Sequence, residues 1–291
     1  MNLTPCARTV WIDGNLVPAH EATVSAYDRA FRSGEGVFET FRAYGRFVFR
    51  LDEHLQRAVF GASVLSFELP PVRVLAAGVQ AAVDDNVAPD AAAAVRLVAT
   101  PGDIDPESPF PGSPLGHPRI VVTVHDLLLD DAARDRGATA IVVPWGREVA
   151  HVKAVSYLAS ALARREARRQ GADEALLTDA DDNVLEASGA NLFAVIDGRL
   201  VTPPIDGTIL PGVTRQVVLD VAEQQHLEVA QVALPLRELL QADEAMLTAT
   251  TREIVPLTRV DGSMIGTGRM GPITRELMSG FADVVRREAA R

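Results

Sequence analysis

The chain has 291 residues, 47% of them apolar, with a net charge of −11 and a pI near 5.0. That length holds one large or two medium domains, and the apolar fraction supplies a sizeable core and excludes a disordered chain. The acidic balance argues against nucleic acid or an anionic membrane as partner, while leaving arginines free to line a pocket for a small anion. No signal-like start precedes Val10 and no apolar run reaches membrane-spanning length, so a cytoplasmic location is expected. Cys6 is the sole cysteine, which excludes an internal disulfide and suits a reducing compartment.

Taken in order, Thr9–Ile12 and Asn15–Val17 read as a hairpin through Asp13-Gly14. Ser33 to Gly36 forms a glycine-rich bend before the strand Val37–Phe41, whose alternation places Phe38 on the face opposite Val37 and Glu39. Gly34-x-Gly36 lacks the third glycine and the lysine of a phosphate loop, so the bend is preferred. Tyr44-Gly45-Arg46 turns the chain into Phe47–Phe49. Leu51–Leu65 is an amphipathic helix carrying His54 and Arg57 at helical spacing, where an arginine is ordinarily a solvated charge. A second helix spans about 71–83, an Asp-rich turn follows, and Ala94–Ala99 is a strand. Thr100–Pro118, crowded with Pro and Gly, reads as a loop that covers or shapes a site. The strand Ile120–Val124 closes a first domain of residues 1–125, and 126–136 reads as the linker to a second domain, 137–291.

The second half opens with the strand Ala140–Pro144, then brings Lys153 in just before an Ala-, Leu- and Arg-rich helix stopped by Gly171. Strands follow at Ala175–Thr178 and Val184–Ala187, and a hairpin at Asn191–Thr202 turns through Asp197-Gly198. Pro211-Gly212-Val213-Thr214 starts a helix to about Gln225, and its first N–H groups make a ready anion site. Ala245–Thr250, a continuation at Ile254–Thr258, and a helix from Pro272 complete the chain.

Of the 28 basic residues only Lys153 is lysine; the other 27 are arginine. Lysine has an amine that can lose its proton and condense with a carbonyl, which a guanidinium cannot do, so a lone lysine marks a position where that chemistry is needed. The six histidines show no ligand spacing, so no metal site is expected, and Glu186-Ala-Ser188-Gly-Ala is not a serine nucleophile elbow. What remains is Lys153, Tyr157 four residues on, Glu186 in a strand, and the anion site at Val213-Thr214. These parts fit pyridoxal 5'-phosphate, which needs an amine, a carboxylate beside its protonated ring nitrogen, and a helix N-terminus with hydroxyls and an arginine for its phosphate. Taken singly, Glu186 also reads as a solvated strand-end charge and Tyr157 as a core tyrosine.

Glu186-Ala-Ser-Gly-Ala-Asn191-Leu-Phe193, Leu200-Val-Thr202 and Leu210-Pro-Gly-Val213-Thr-Arg215 together resemble the class IV aminotransferase pattern in residue type and spacing. Lys153-Ala-Val-Ser-Tyr157, Gly34-Glu-Gly-Val-Phe38-Glu-Thr, Leu51-Asp-Glu-His54-Leu-Gln-Arg57 and Thr248-Ala-Thr250-Thr251-Arg-Glu253 resemble further segments of that family, so that the likeness runs from about Val10 to Leu277. The resemblance implies an α/β (α+β) fold of two domains, D-amino-acid aminotransferase-like, with the cofactor between them and a homodimer as the assembly. It implies that Lys153 is the Schiff-base lysine and proton shuttle, that Tyr157 contacts the ring hydroxyl oxygen, and that Glu186 meets the ring nitrogen. Arg57, Val213, Thr214 and Thr250 would hold the phosphate, and Thr251 would offer a backbone N–H to the substrate carboxylate. The implied reaction is ping-pong exchange of an amino group between an amino acid and a 2-oxo acid.

Within the family the segments diverge. D-amino-acid aminotransferases place a tyrosine where this chain has Phe38, and an Arg-x-His where it has Asp103-Ile-Asp105. Aminodeoxychorismate lyases carry arginine in the loop that here, at Thr100–Pro118, has none, and the branched-chain enzymes' Gly-rich loop with Asn-Pro is absent. Phe38 suits an apolar side-chain pocket of the branched-chain kind, whereas Gly34–Thr40 looks more like the D-amino-acid and lyase branches. Arg32, Arg96 and Arg252 are the candidates for a different carboxylate clamp, Arg252 slightly preferred. The resulting expectation is a transaminase tilted towards D-amino acids, with the lyase and the branched-chain L-amino-acid enzyme as alternatives.

Overall fold

The computed structural model describes residues 8–105, 107, 116–127 and 136–290, so Cys6, the middle of the Thr100–Pro118 loop and most of the expected linker lie outside the described residues. The chain groups into two compact units, Met1–Leu128 with Val152–Ser156, and Leu129–His151 with Tyr157–Arg291. The short segment carrying Lys153, assigned to the second domain from its place in the sequence, thus packs with the first unit.

In the first unit, β1 (Thr9–Ile12) and β2 (Asn15–Pro18) form a hairpin, followed by α1 (Arg29–Ser33), β3 (Val37–Tyr44), β4 (Phe47–Val48), α2 (Leu51–Val64), α3 (Val72–Asn86), β5 (Ala92–Thr100) and β6 (Arg119–Asp126). The strands make one antiparallel sheet in the order β2-β1-β6-β5-β3-β4. Alternate residues Val95, Leu97 and Val122 of the sheet join Leu55 and Ala62 of α2 and Leu75, Val79 and Val83 of α3 in one core. Truncating the fully buried Leu55 to Ala would cost about 2–5 kcal/mol. Helix α1 escapes periodicity at five residues; Asp28 caps its start and Gly34, at φ 73°, ends it in the left-handed region. Helix α3 runs past Val83 through the acidic stretch because Gln80 donates to Asp84, and Asn86 bonds both Ala82 O and Thr9.

The second unit contains β7 (Ala138–Val143), α4 (Leu158–Arg169), β8 (Glu174–Thr178), β9 (Asn183–Ala187), β10 (Asn191–Ile196), β11 (Arg199–Thr202), α5 (Val213–Gln224), β12 (Val229–Gln231), β13 (Leu234–Pro235), α6 (Leu236–Leu239), β14 (Glu244–Ala249), β15 (Glu253–Val260), β16 (Ser263–Met264) and α7 (Pro272–Ala289). Its mixed sheet runs β12-β11-β10-β14-β15-β7-β8-β9-β13, with β16 paired to β15. Ile254–Thr258 is not a continuation of the preceding strand but its antiparallel partner, with Met246 opposite Pro256 and Leu247 opposite Val255. Thr250, Thr251 and Arg252 are therefore the tip of a hairpin, and Glu253 leaves it at φ 58°. Among the described residues no helix is long and apolar enough to cross a membrane.

Candidate active site

The Lys153 segment lies along the start of β3. Phe38 N donates to Lys153 O at 2.9 Å, Val155 N donates to Gly36 O at 2.9 Å, and Val37 bridges Ala154. Gly36 sits tightly between β5 and this segment: a Cβ there would lie 2.8 Å from Ala99 O and 3.3 Å from Val155 Cγ2. The alternation of β3 then sorts its side chains. Val37 enters the helix-packed core, Glu39 meets α2, and the buried ring of Phe38 lies 4.8 Å from Lys153 Nζ and 3.8 Å from the Arg96 guanidinium carbon above its face. Of the three clamp candidates, Arg96 is thus beside Phe38, while Arg32 is exposed at the end of α1.

Arg57 is no solvated helix charge. Its Nε and Nη2 each donate to fully buried Glu39 at 2.7 Å, a fork that fixes the guanidinium plane. His54 Nδ1 lies 2.8 Å from the same carboxylate. Burial alone would raise the Glu39 carboxyl, but the Arg57 charge and the bonds from Arg57 and His54 outweigh it and hold Glu39 well below the usual carboxylate range. Burial pushes His54 down, the bond and charge of Glu39 pull it up, and the charges of Arg57 and Lys153 push it down again, so the net direction is downward. The imidazole is consequently neutral near pH 7 and donates through Nδ1, while its buried Nε2 has no hydrogen-bond partner among the described residues.

In the second unit Glu186, at the end of β9, is buried. Its Oε1 accepts from Arg147 Nε at 3.0 Å and from Arg147 Nη2; its Oε2 accepts from Leu210 N at 3.2 Å and Asn191 Nδ2 at 3.4 Å. Asn191 also donates to Leu210 O at 2.9 Å, so Leu210-Pro211-Gly212, which leads into α5, is bonded to the carboxylate on one side and to β10 on the other. Gly212 is needed here because a Cβ would overlap Asn191 Oδ1. No side chain caps the N-terminus of α5, leaving the first-turn N–H groups of Val213 and Thr214 for an anion. Tyr157 precedes α4 and its hydroxyl donates to Ser188 O at 2.9 Å. Arg252 donates to buried Glu174 at 2.6 Å, a carboxylate that also accepts from Ser188 Oγ. Glu39, His54, Arg147 and Asn191 were not among the predicted site residues. Glu39 sits inside the quoted Gly34–Thr40 segment, but a carboxylate in a strand gives no sign of its partner until α2 is laid against it.

The match to known proteins is consistent with this geometry. Residues 36–260 match the model of the family described as amino-transferase class IV. A putative branched-chain-amino-acid aminotransferase of Methanocaldococcus jannaschii is 34% identical over 94% of this chain and 96% of its own length. A D-alanine aminotransferase of Listeria monocytogenes is 31% identical over 96% of both. The crystal structure of a branched-chain aminotransferase from Thermoproteus uzoniensis with norvaline superposes with a TM-score of 0.88 at 31% identity, covering 97% of this chain and 95% of that one. The chain belongs to the class IV aminotransferases, two-domain fold-type IV enzymes that use pyridoxal phosphate. Its residues fit that cofactor: a buried carboxylate, an uncapped helix start bonded to the same loop, and a single amine beside an apolar ring.

Proposed function

We infer that this aminotransferase takes amino acids with apolar side chains, of the branched-chain L type, as its donors. The observation that carries this is Phe38, a buried ring 4.8 Å from the Lys153 amine with Arg96 stacked on its face. An apolar wall beside the amine rewards an aliphatic side chain by excluding water, and the stacked guanidinium supplies a cation for a carboxylate-bearing partner such as a 2-oxo acid. The relatives named for branched-chain amino acids and the norvaline-bound neighbour support the same reading. A D-amino-acid reading has its support in the Listeria relative and in the Gly34–Thr40 segment, but Phe38 and Asp103-Ile104-Asp105 lack the tyrosine and Arg-x-His that go with it.

In this reading Lys153 would hold pyridoxal phosphate through Nζ and would carry the proton at the donor's α-carbon. Glu186 would face the ring nitrogen, and Tyr157 the ring hydroxyl oxygen. Arg57, held by Glu39, joins Val213, Thr214 and Thr250 on the phosphate, while Thr251 and Arg252 at the hairpin tip serve the substrate carboxylate. Bound pyridoxal phosphate supplies the electron sink for the pair left when the α-proton departs. A homodimer, on the family resemblance, and a cytoplasmic location, on the lone cysteine, belong to the same proposal.

The test is the visible spectrum of the holoenzyme during separate additions of L-leucine, D-alanine, D-glutamate and R-phenylethylamine. Conversion to the pyridoxamine form by L-leucine supports the reading. Conversion by D-alanine alone overturns it in favour of the D branch. A spectrum inert to all four, with pyruvate released from aminodeoxychorismate, moves the protein to lyase chemistry.

A further inference from the structure

Arg147 has no role in any of the assignments above, yet it makes a direct ionic contact to Glu186 within the second unit. Its Nε and Nη2 both donate to Glu186 Oε1, and Nη2 also donates to Ala150 O at 2.8 Å. The loop between Arg147 and Ala150 contains Val149 at φ 51°, a left-handed conformation that a β-branched residue seldom adopts. A backbone held in that state, one residue before Ala150 and four before Lys153 in the chain, indicates that the loop is shaped to deliver the guanidinium.

We propose that Arg147 is a positioning residue for Glu186, fixing its carboxylate and holding it ionised so that the proton shared with the cofactor's ring nitrogen stays on the nitrogen. This rests on the reading of Glu186 as the ring's partner. A proton between a carboxylate and a pyridine goes to the stronger base. In a site screened from water a guanidinium on Oε1 stabilises the carboxylate's negative charge and weakens it as a base, which leaves the proton on the ring. Leu210 N and Asn191 Nδ2 on Oε2 fix the plane but carry no charge to do the same. With Arg147 gone, the buried carboxylate competes for the proton, and an unprotonated ring is a poorer electron sink.

The experiment is 15N NMR of the holoenzyme loaded with ring-15N pyridoxal phosphate, for the wild type, Arg147→Gln, Arg147→Lys and Glu186→Gln. The expected result is a protonated-ring shift in the wild type, displacement towards the unprotonated value in both Glu186→Gln and Arg147→Gln, and substantial return in Arg147→Lys, which keeps the charge without the fork. The amine-exchange half-reaction of Arg147→Gln should slow by about 10–100-fold, the usual scale for losing a partner that orients a site group. If Glu186→Gln moves the signal and Arg147→Gln does not, the role of Arg147 is overturned while Glu186 stands. If Glu186→Gln leaves the signal in place, the reading of Glu186 itself falls, and this inference with it. Should Arg147→Gln fail to fold, Arg147→Lys with a wild-type fold but an unprotonated ring overturns the charge argument.

Discussion

Glu39 and Arg57 form a two-bond fork, with both N–H···O distances 2.7 Å and the carboxylate fully buried between β3 and α2. Such a pair leaves the guanidinium in one plane and makes each partner dependent on the other. Glu39→Gln should therefore cost about 3–5 kcal/mol of stability, the scale for stripping the partner from a buried charge. It should also weaken pyridoxal phosphate binding through loss of Arg57 orientation. Urea unfolding of the cofactor-free protein and fluorescence titration with pyridoxal phosphate measure the two effects separately. Unchanged affinity would remove Arg57 from the phosphate site.

Stability should fall on acidification in two windows. His54 is lowered from its ordinary 6.5, so below that pH the unfolded chain binds a proton that the folded chain refuses, and stability present above 6.5 is lost as pH drops towards the folded value. Glu39 is lowered from 4.5, so its contribution is present above 4.5 and is lost as pH falls further through the folded value. Because the two groups share a hydrogen bond they titrate as a pair. Urea midpoints from pH 8 to pH 4 should decline with acid, and His54→Phe should flatten the upper window. A wild-type profile flat between pH 6.5 and 5 would contradict the assignment.

Phe38→Ala should discriminate among donors. Losing the ring beside Lys153 removes apolar contact that a long side chain makes and a short one does not. The expected fall in kcat/KM is about 10–200-fold for L-leucine and much less for L-alanine, the range for a change in one apolar pocket contact. Steady-state rates with both donors decide; equal losses would show that Phe38 does not line the side-chain pocket.

Gly36→Ala should loosen the segment that carries Lys153 against β3. The added methyl meets Ala99 O at 2.8 Å on a backbone at φ 155°, and it disturbs the residue whose carbonyl receives Val155 N. A loss of about 1–3 kcal/mol is expected, with faster hydrogen exchange at Phe38 and Val155 than at β6. Exchange unchanged at those two amides would mean that the segment is held by other contacts.

Much of this was readable beforehand, for reasons that differ by element. The two-residue period of β3 put Phe38 opposite Val37 and Glu39, and the structure keeps that sorting. The periodic stripe of α2 was plain, but the environment of Arg57 was not, because one helix cannot show that a strand carboxylate will be buried against it. Arg147 was invisible for a related reason: a loop arginine becomes informative only when Glu186, 39 residues later, is brought to it. Helix α1 and strands of two or three residues such as β12 and β13 are too short to show a period. The lone lysine was legible because composition had removed every competing amine except the N-terminus.

That same composition makes the central claim directly measurable. Borohydride reduction of the holoenzyme, followed by peptide mapping by mass spectrometry, should place one phosphopyridoxyl group on Lys153 and abolish the visible cofactor band in Lys153→Ala. A group found on the N-terminal amine, or a band that survives in Lys153→Ala, would contradict the account.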